Sequence, residues 1–87
     1  LEPEIIGERI VLKLENEEAF VKFKIEQNII MVTTTYVPES QRGKGIAGKL
    51  NAKLVEMAKE KGMKIYPLCE YTRKYLERKQ FHDLIHE

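Results

Sequence analysis

One cysteine, almost no net charge and no long apolar run mark this chain, and each scarcity closes off a class of protein. The lone Cys69 excludes an internal disulfide framework and a cysteine-based zinc site. A formal charge of +1 provides no broad basic footprint, which argues against nucleic acid as a partner. No apolar stretch approaches the roughly 20 residues of a membrane-spanning helix, and no signal peptide is visible. With a single free thiol, these absences lead us to expect a cytoplasmic protein with no membrane partner and no metal. Internal repeats, low-complexity tracts and linkers are also lacking. The length suits one small domain over residues 1–87, too small for two substrate-binding lobes. The chain opens on Leu1 rather than Met, as a processed or truncated start does, and a short preceding segment stays open.

The first half has the period of strands. Ile10, Leu12 and Leu14 alternate with Val11 and Lys13, and after the polar turn Asn16-Glu17-Glu18 the alternation resumes over Ala19 to Glu26. Gln27-Asn28 predicts a tight hairpin without the Asn-Gly signature. Ile29 to Val37 follows as a third strand, β-branched and therefore central, and Pro38 ends it by removing a ladder donor. These strands form an antiparallel meander. The period then changes: Ile46, Leu50, Leu54, Met57 and Ala58 recur at helical spacing, and Gly62 just past Lys61 is a C-terminal stop. Met63 to Leu68 predicts a fourth strand, parallel to the third because a helix crosses between them. A second helix is expected over Tyr71 to Lys79, then a final strand or docked tail over Phe81 to Ile85.

The segment between third strand and first helix carries the chemistry. Gln41-Arg42-Gly43-Lys44-Gly45-Ile46-Ala47 combines close glycines, two cations and a helix start. A helix's first turn has backbone N–H groups without internal partners and the positive end of its dipole, so it suits an anion. Glycine lets a phosphate approach the main chain. The combination points to a diphosphate cradle rather than a plain strand-to-helix turn.

Here the residues resemble the GCN5-related N-acetyltransferases. Arg42-Gly43-Lys44-Gly45-Ile46-Ala47 between a strand and a long helix matches that superfamily's acetyl-coenzyme A signature. Pro67-Leu68-Cys69 is similar to the Pro-x-Cys of its very small single-domain members, which lack the usual N-terminal helices. The resemblance implies a compact α/β fold with a mixed sheet: a three-stranded antiparallel meander, a long helix, a parallel fourth strand and a short C-terminal helix. It implies an acetyltransferase with acetyl-coenzyme A as cosubstrate, the diphosphate held at Gln41, Arg42, Gly43, Lys44, Gly45, Ile46 and Ala47. The pantetheine arm would pair with Thr35, Tyr36 and Val37 where the third and fourth strands splay, placing the thioester near Thr33, Thr34 and Pro67 to Cys69. Without N-terminal helices the acceptor site should be open. A partner or the neighbouring subunit of a homodimer would complete it, or an extended protein segment would fit it.

Individual residues keep two readings. Cys69 is either a small packed hydrophobe or a thiol lining the acetyl site, where it could act as a nucleophile. Tyr75 stands near the tyrosine that larger relatives use to protonate the departing thiolate, although counting back from Phe81 places that position nearer Leu76. Tyr71 and Tyr75 share a helix face, which equally fits core packing. Small relatives often carry a histidine where this chain has Thr34, and His82 and His86 lie by the tail. Arg73, Lys74, Arg78 and Lys79 form either a solvated helix face or a contact for the coenzyme's 3′-phosphate. Glu15, Glu17 and Glu18 form either an ordinary turn or a recruiter of cationic amines. Overall the residues favour an acetyltransferase acting on an amine, of a small molecule or a protein. The rival is a non-catalytic acyl-coenzyme A sensor or interaction module.

Overall fold

A computed structural model describes residues 2–87. Its order is β1 (Glu4–Ile6), β2 (Arg9–Lys13), β3 (Glu18–Glu26), β4 (Ile29–Tyr36), α1 (Ile46–Lys61), β5 (Lys64–Pro67) and α2 (Glu70–Arg78), with short 3-10 turns at Glu39–Gln41 and His82–Leu84. The strands form one five-stranded sheet in chain order. The first four are antiparallel, and β5 lies parallel to β4. The expected mixed α/β sheet is therefore present, with β1 in addition. Three exposed residues offer no legible period, and β1 exists because β2 supplies a pairing edge.

Local chemistry accounts for the turns. Gln27 and Asn28 both take positive φ, 52° and 66°, the conformation of a two-residue hairpin whose twist matches its strands. Gly62 closes α1 in the left-handed region, its N–H reaching Lys59 O while Met63 N–H reaches Ala58 O. This pair of bonds satisfies carbonyls that the last turn would leave open. The tail docks rather than extending the sheet: Ile85 makes a single bridge to Ile65, and Phe81, Leu84 and Ile85 pack on the core.

One apolar cluster joins the sheet to both helices, with Ile10, Val21, Ile30 and Ile65 against Leu50, Leu54 and Leu76. Because α1 packs on β2 to β4, α2 on β4 and β5, and the helices touch each other, both cover the same face. The opposite face has no helix over it. Among the described residues no helix is long and apolar enough to cross a membrane.

Leu54 is fully buried in this cluster, so Leu54→Ala should lower stability by about 2–5 kcal/mol through lost burial and a cavity. Urea unfolding followed by circular dichroism measures the loss. An unchanged midpoint would contradict the packing.

Candidate active site

The site begins with an irregularity in β4. Lys22 pairs with Thr34, whereas the next residue, Phe23, pairs with Val32, so Thr33 is an extra residue on β4. Such a bulge shifts the side-chain alternation by one. Ile30 and Val32 face the helices, and beyond the bulge it is Thr35, opposite Val21, that takes up that side. The pairing of β4 with β5 ends at the same level, with Val32 opposite Pro67. The N–H groups of Leu68 and Cys69 both turn to Val32 O, at 2.9 and 3.1 Å. From Thr33 to Tyr36 the β5-facing edge of β4 is therefore unpaired, and the start of α2 overhangs it.

The loop beyond β4 is folded by its own contacts. Gln41 N–H reaches Pro38 O at 2.9 Å, and the Arg42 guanidinium donates through Nε to Val37 O at 3.0 Å. Ser40 donates to Glu17 at 2.8 Å, tying the loop to the β2–β3 turn. Gly43 and Gly45 take φ of 81° and 78°, a region that costs other residues roughly 1–2 kcal/mol. The first regular helical bond runs from Lys49 N–H to Gly45 O. The amides of residues 43–48 consequently have no hydrogen-bond partner among the described residues. They lie at the positive end of a 16-residue helix.

A cavity of about 460 Å³ opens where this loop meets the unpaired strand edge. Thr35, Tyr36, Val37, Gln41, Arg42, Gly43, Gly45, Ile46 and Ala47 line it. Lys44 does not; its ammonium donates to Gln41 Oε1 at 3.2 Å on the exposed side. Two further wall residues are Gly48 and Tyr71. Gly48 had a readable signal, since it follows Gly45 by one helical turn and adds no side chain. Tyr71 had none, because only the fold brings α2 over the loop. Tyr75 lies one turn further on, buried in the core cluster and off the cavity wall. Burial pushes its phenol up, Tyr71 adds to this and Arg78 partly opposes it.

A buried polar chain runs behind the cavity. Asn51 and Thr72 are fully buried, and neither stood out in the sequence. Asn51 Nδ2 donates to Ala47 O at 2.9 Å, which turns its Oδ1 toward the Thr72 hydroxyl at 2.8 Å. Thr72 has one proton and spends it there, so the Thr35 hydroxyl, 3.3 Å away, is the donor to Thr72. Thr35 oxygen is left to accept from the Cys69 thiol at 3.5 Å. Every member is paired, and α1, α2 and β4 are pinned together beside the gap.

Cys69 is half-buried and precedes the first turn of α2. Partial burial pushes its thiol up, but the Thr35 hydroxyl and then the backbone amides of Thr72 and Tyr71 outweigh this, so it lies below the ordinary thiol value. On ionisation the Thr35 hydroxyl turns its proton from Thr72 to the sulfur. The other singled-out groups lie elsewhere. Thr33 and Thr34 sit at the bulge, Thr34 on the helix-free face, while His82 and His86 are exposed at the tail. Arg73 donates to Pro67 O at 3.5 Å, and Lys74 pairs loosely with Glu70. Glu17 is engaged by Ser40 and Glu18 by Arg9. Among the described residues no group of three or more His, Cys, Asp or Glu is placed to hold a metal ion.

A strand edge left open by a bulge and a glycine loop with free amides thus border one cavity, and the Cys69 thiol reaches its wall through the bond to Thr35 while lying off the wall itself. The sequence model of a family described as GCN5-related N-acetyl-transferase matches residues 9–84, and the chain belongs to that family.

Thr35→Val keeps the shape of Thr35 but cannot donate to the sulfur. The rate of Cys69 alkylation by iodoacetamide rises with pH as thiolate forms, and in this variant its midpoint should move to higher pH. Thr35→Ser should restore it. Thr72→Val, which strips the buried Asn51 of its donor, should cost about 1–3 kcal/mol in urea unfolding.

Proposed function

We propose that this GCN5-related N-acetyltransferase family member transfers the acetyl group of acetyl-coenzyme A to an amine. The reading is carried by one observation: the partnerless amides of residues 43–48, at the helix N-terminus, border a cavity continuous with the unpaired β4 edge. An anion with a hydrogen-bonding tail fits that pair of features. The loop amides and the free guanidinium nitrogens of Arg42 would hold a diphosphate. Backbone groups of Thr35 to Val37 would pair with an amide-bearing arm as a strand partner does. The glycines matter through backbone conformation and access, since a Cβ at Gly43 or Gly45 meets nothing within 4 Å.

Bound acetyl-coenzyme A supplies a thioester whose carbonyl carbon an amine attacks, forming a C–N bond and breaking the C–S bond. The chain's contribution is to orient the reactants, worth more here than any single acid or base. Thr35 and Cys69 stand at the gap, linked by a hydrogen bond to the buried chain behind them. The Cys69 thiol can give its proton to the departing sulfur, and the resulting thiolate, held by the Thr35 hydroxyl, can take up the proton that the attacking amine loses. Tyr71 brings a third hydroxyl to the cavity wall beside those of Thr35 and Tyr36, whereas Tyr75 takes the core-packing reading. A second reading, coenzyme binding without transfer, is favoured by the core location of Tyr75 and the absence of histidine from the cavity wall.

Calorimetric titration with acetyl-coenzyme A should give one saturable site. Gly45→Val should weaken it at least tenfold with circular dichroism unchanged. No binding by the folded wild-type chain would sink the proposal. Mass spectrometry of amine acceptors then separates transfer from binding alone.

A further inference from the structure

The helix-free face of the sheet has a charge pattern that neither the fold nor the coenzyme site explains. Strand alternation places Arg9 and Lys13 of β2, Lys22 and Lys24 of β3, and Thr34 and Tyr36 of β4 on it. Arg9 stands directly opposite Lys22, a like-charge cross-strand pair that costs a sheet stability. Lys24 follows Lys22 on the same face, about 7 Å along the strand. Of the carboxylates sharing this face, Glu18 is taken by Arg9 at 3.3 Å, and Glu4 and Glu26 lie at its margins. Lys22 and Lys24 have no carboxylate partner among the described residues, whereas Lys13 stands directly opposite Glu18.

This cationic strip ends at the reaction gap. Lys22 pairs with Thr34, the residue next to the bulge where β4 leaves β5. Beside it Phe20 and Tyr36 pack with ring centres 5.3 Å apart, and Tyr36 remains 42% exposed. In the acidic turn Glu18 is paired with Arg9 and Glu17 accepts from Ser40.

We propose that this face docks an acidic peptide segment that carries the acceptor amine and presents it at Thr34; the inference rests on the acetyl-transfer reading above. An extended chain can lie across Lys22 and Lys24 with a carboxylate for each, the two ammonium groups being on one face of β3 next to Thr34. Free polyamines are repelled by the same charges. Neighbouring cations also favour the uncharged form of an amine, which is the form that attacks a thioester. An α-amino group, with an ordinary pKa of about 7.7–8.0, benefits more than a lysine side chain.

The test uses the full chain and labelled peptides in fluorescence anisotropy: a Glu/Asp-rich peptide with a free α-amine, a Lys/Arg-rich peptide and oligo-uridine. The acidic peptide should bind most tightly, with affinity falling as salt rises. The double variant Lys22→Glu/Lys24→Glu should weaken it at least tenfold while leaving acetyl-coenzyme A titration unchanged. Tighter binding of the basic peptide, an unaffected double variant, or preference for oligo-uridine would each overturn the proposal. Coenzyme binding is read in its own titration, so a chain that docks the acidic peptide but not acetyl-coenzyme A overturns the transferase reading alone.

Discussion

The site depends on where β4 stops pairing with β5. Pro67 has no N–H to continue the ladder, and the next two amides converge on Val32 O instead. The extra residue at Thr33 bends β4 at the same level and turns Thr35 toward the helices. An unpaired strand edge is normally a liability that proteins cover. Here it is left open over four residues, and the beginning of α2 stands over it.

That opening needs bracing, because parallel strands held by few bonds would otherwise re-close or slip. The chain from Ala47 O through Asn51, Thr72 and Thr35 to Cys69 supplies the brace. Fully paired buried polar groups specify a single arrangement, since any rearrangement leaves one of them unsatisfied at a cost of about 1–3 kcal/mol. The same chain orders protons. Asn51 cannot rotate without losing Ala47, so Thr72 must donate to it, and Thr35 is left as the group that answers the charge on Cys69. The Ser40–Glu17 bond braces the other wall of the cavity in a more exposed setting.

Placing both helices on one side has a second consequence. It concentrates most of the buried apolar residues of an 87-residue chain into one core and leaves the opposite sheet face mixed, with Val11, Phe20, Met31 and Tyr36 among Arg9, Lys13, Lys22 and Lys24. On that face Lys22 and Lys24 stand without a carboxylate partner among the described residues, and Lys22 lies opposite Thr34 beside the bulge. On β4 the bulge puts Thr35 on the helix side and Thr34 on the open face.

Much of this was legible in the residues. The helical period from Ile46, the stop at Gly62, the strand alternation of β2 and β3 and the glycine loop are local patterns, and local sterics and hydrogen bonding decide them. Most of the cavity wall follows, because consecutive loop residues must lie together. The rest is not local. Three consecutive threonines, Thr33 to Thr35, have no apolar phase to reveal a bulge, so only pairing with β3 shows which of them turns inward. Tyr71 and Tyr75 share a helix face in the sequence, yet the overhang of α2 puts one on the cavity and the other in the core. Lys44 carries the right charge beside the right glycines, but the loop's path sends it to Gln41. Asn51 and Thr72 are 21 positions apart and became partners only when two helices met. The amino-acid order by itself determined both helices, the strands after β1, the glycine loop at the helix start and the family. The tertiary structure decided which side chains meet at the gap, because those contacts join residues that no backbone period relates.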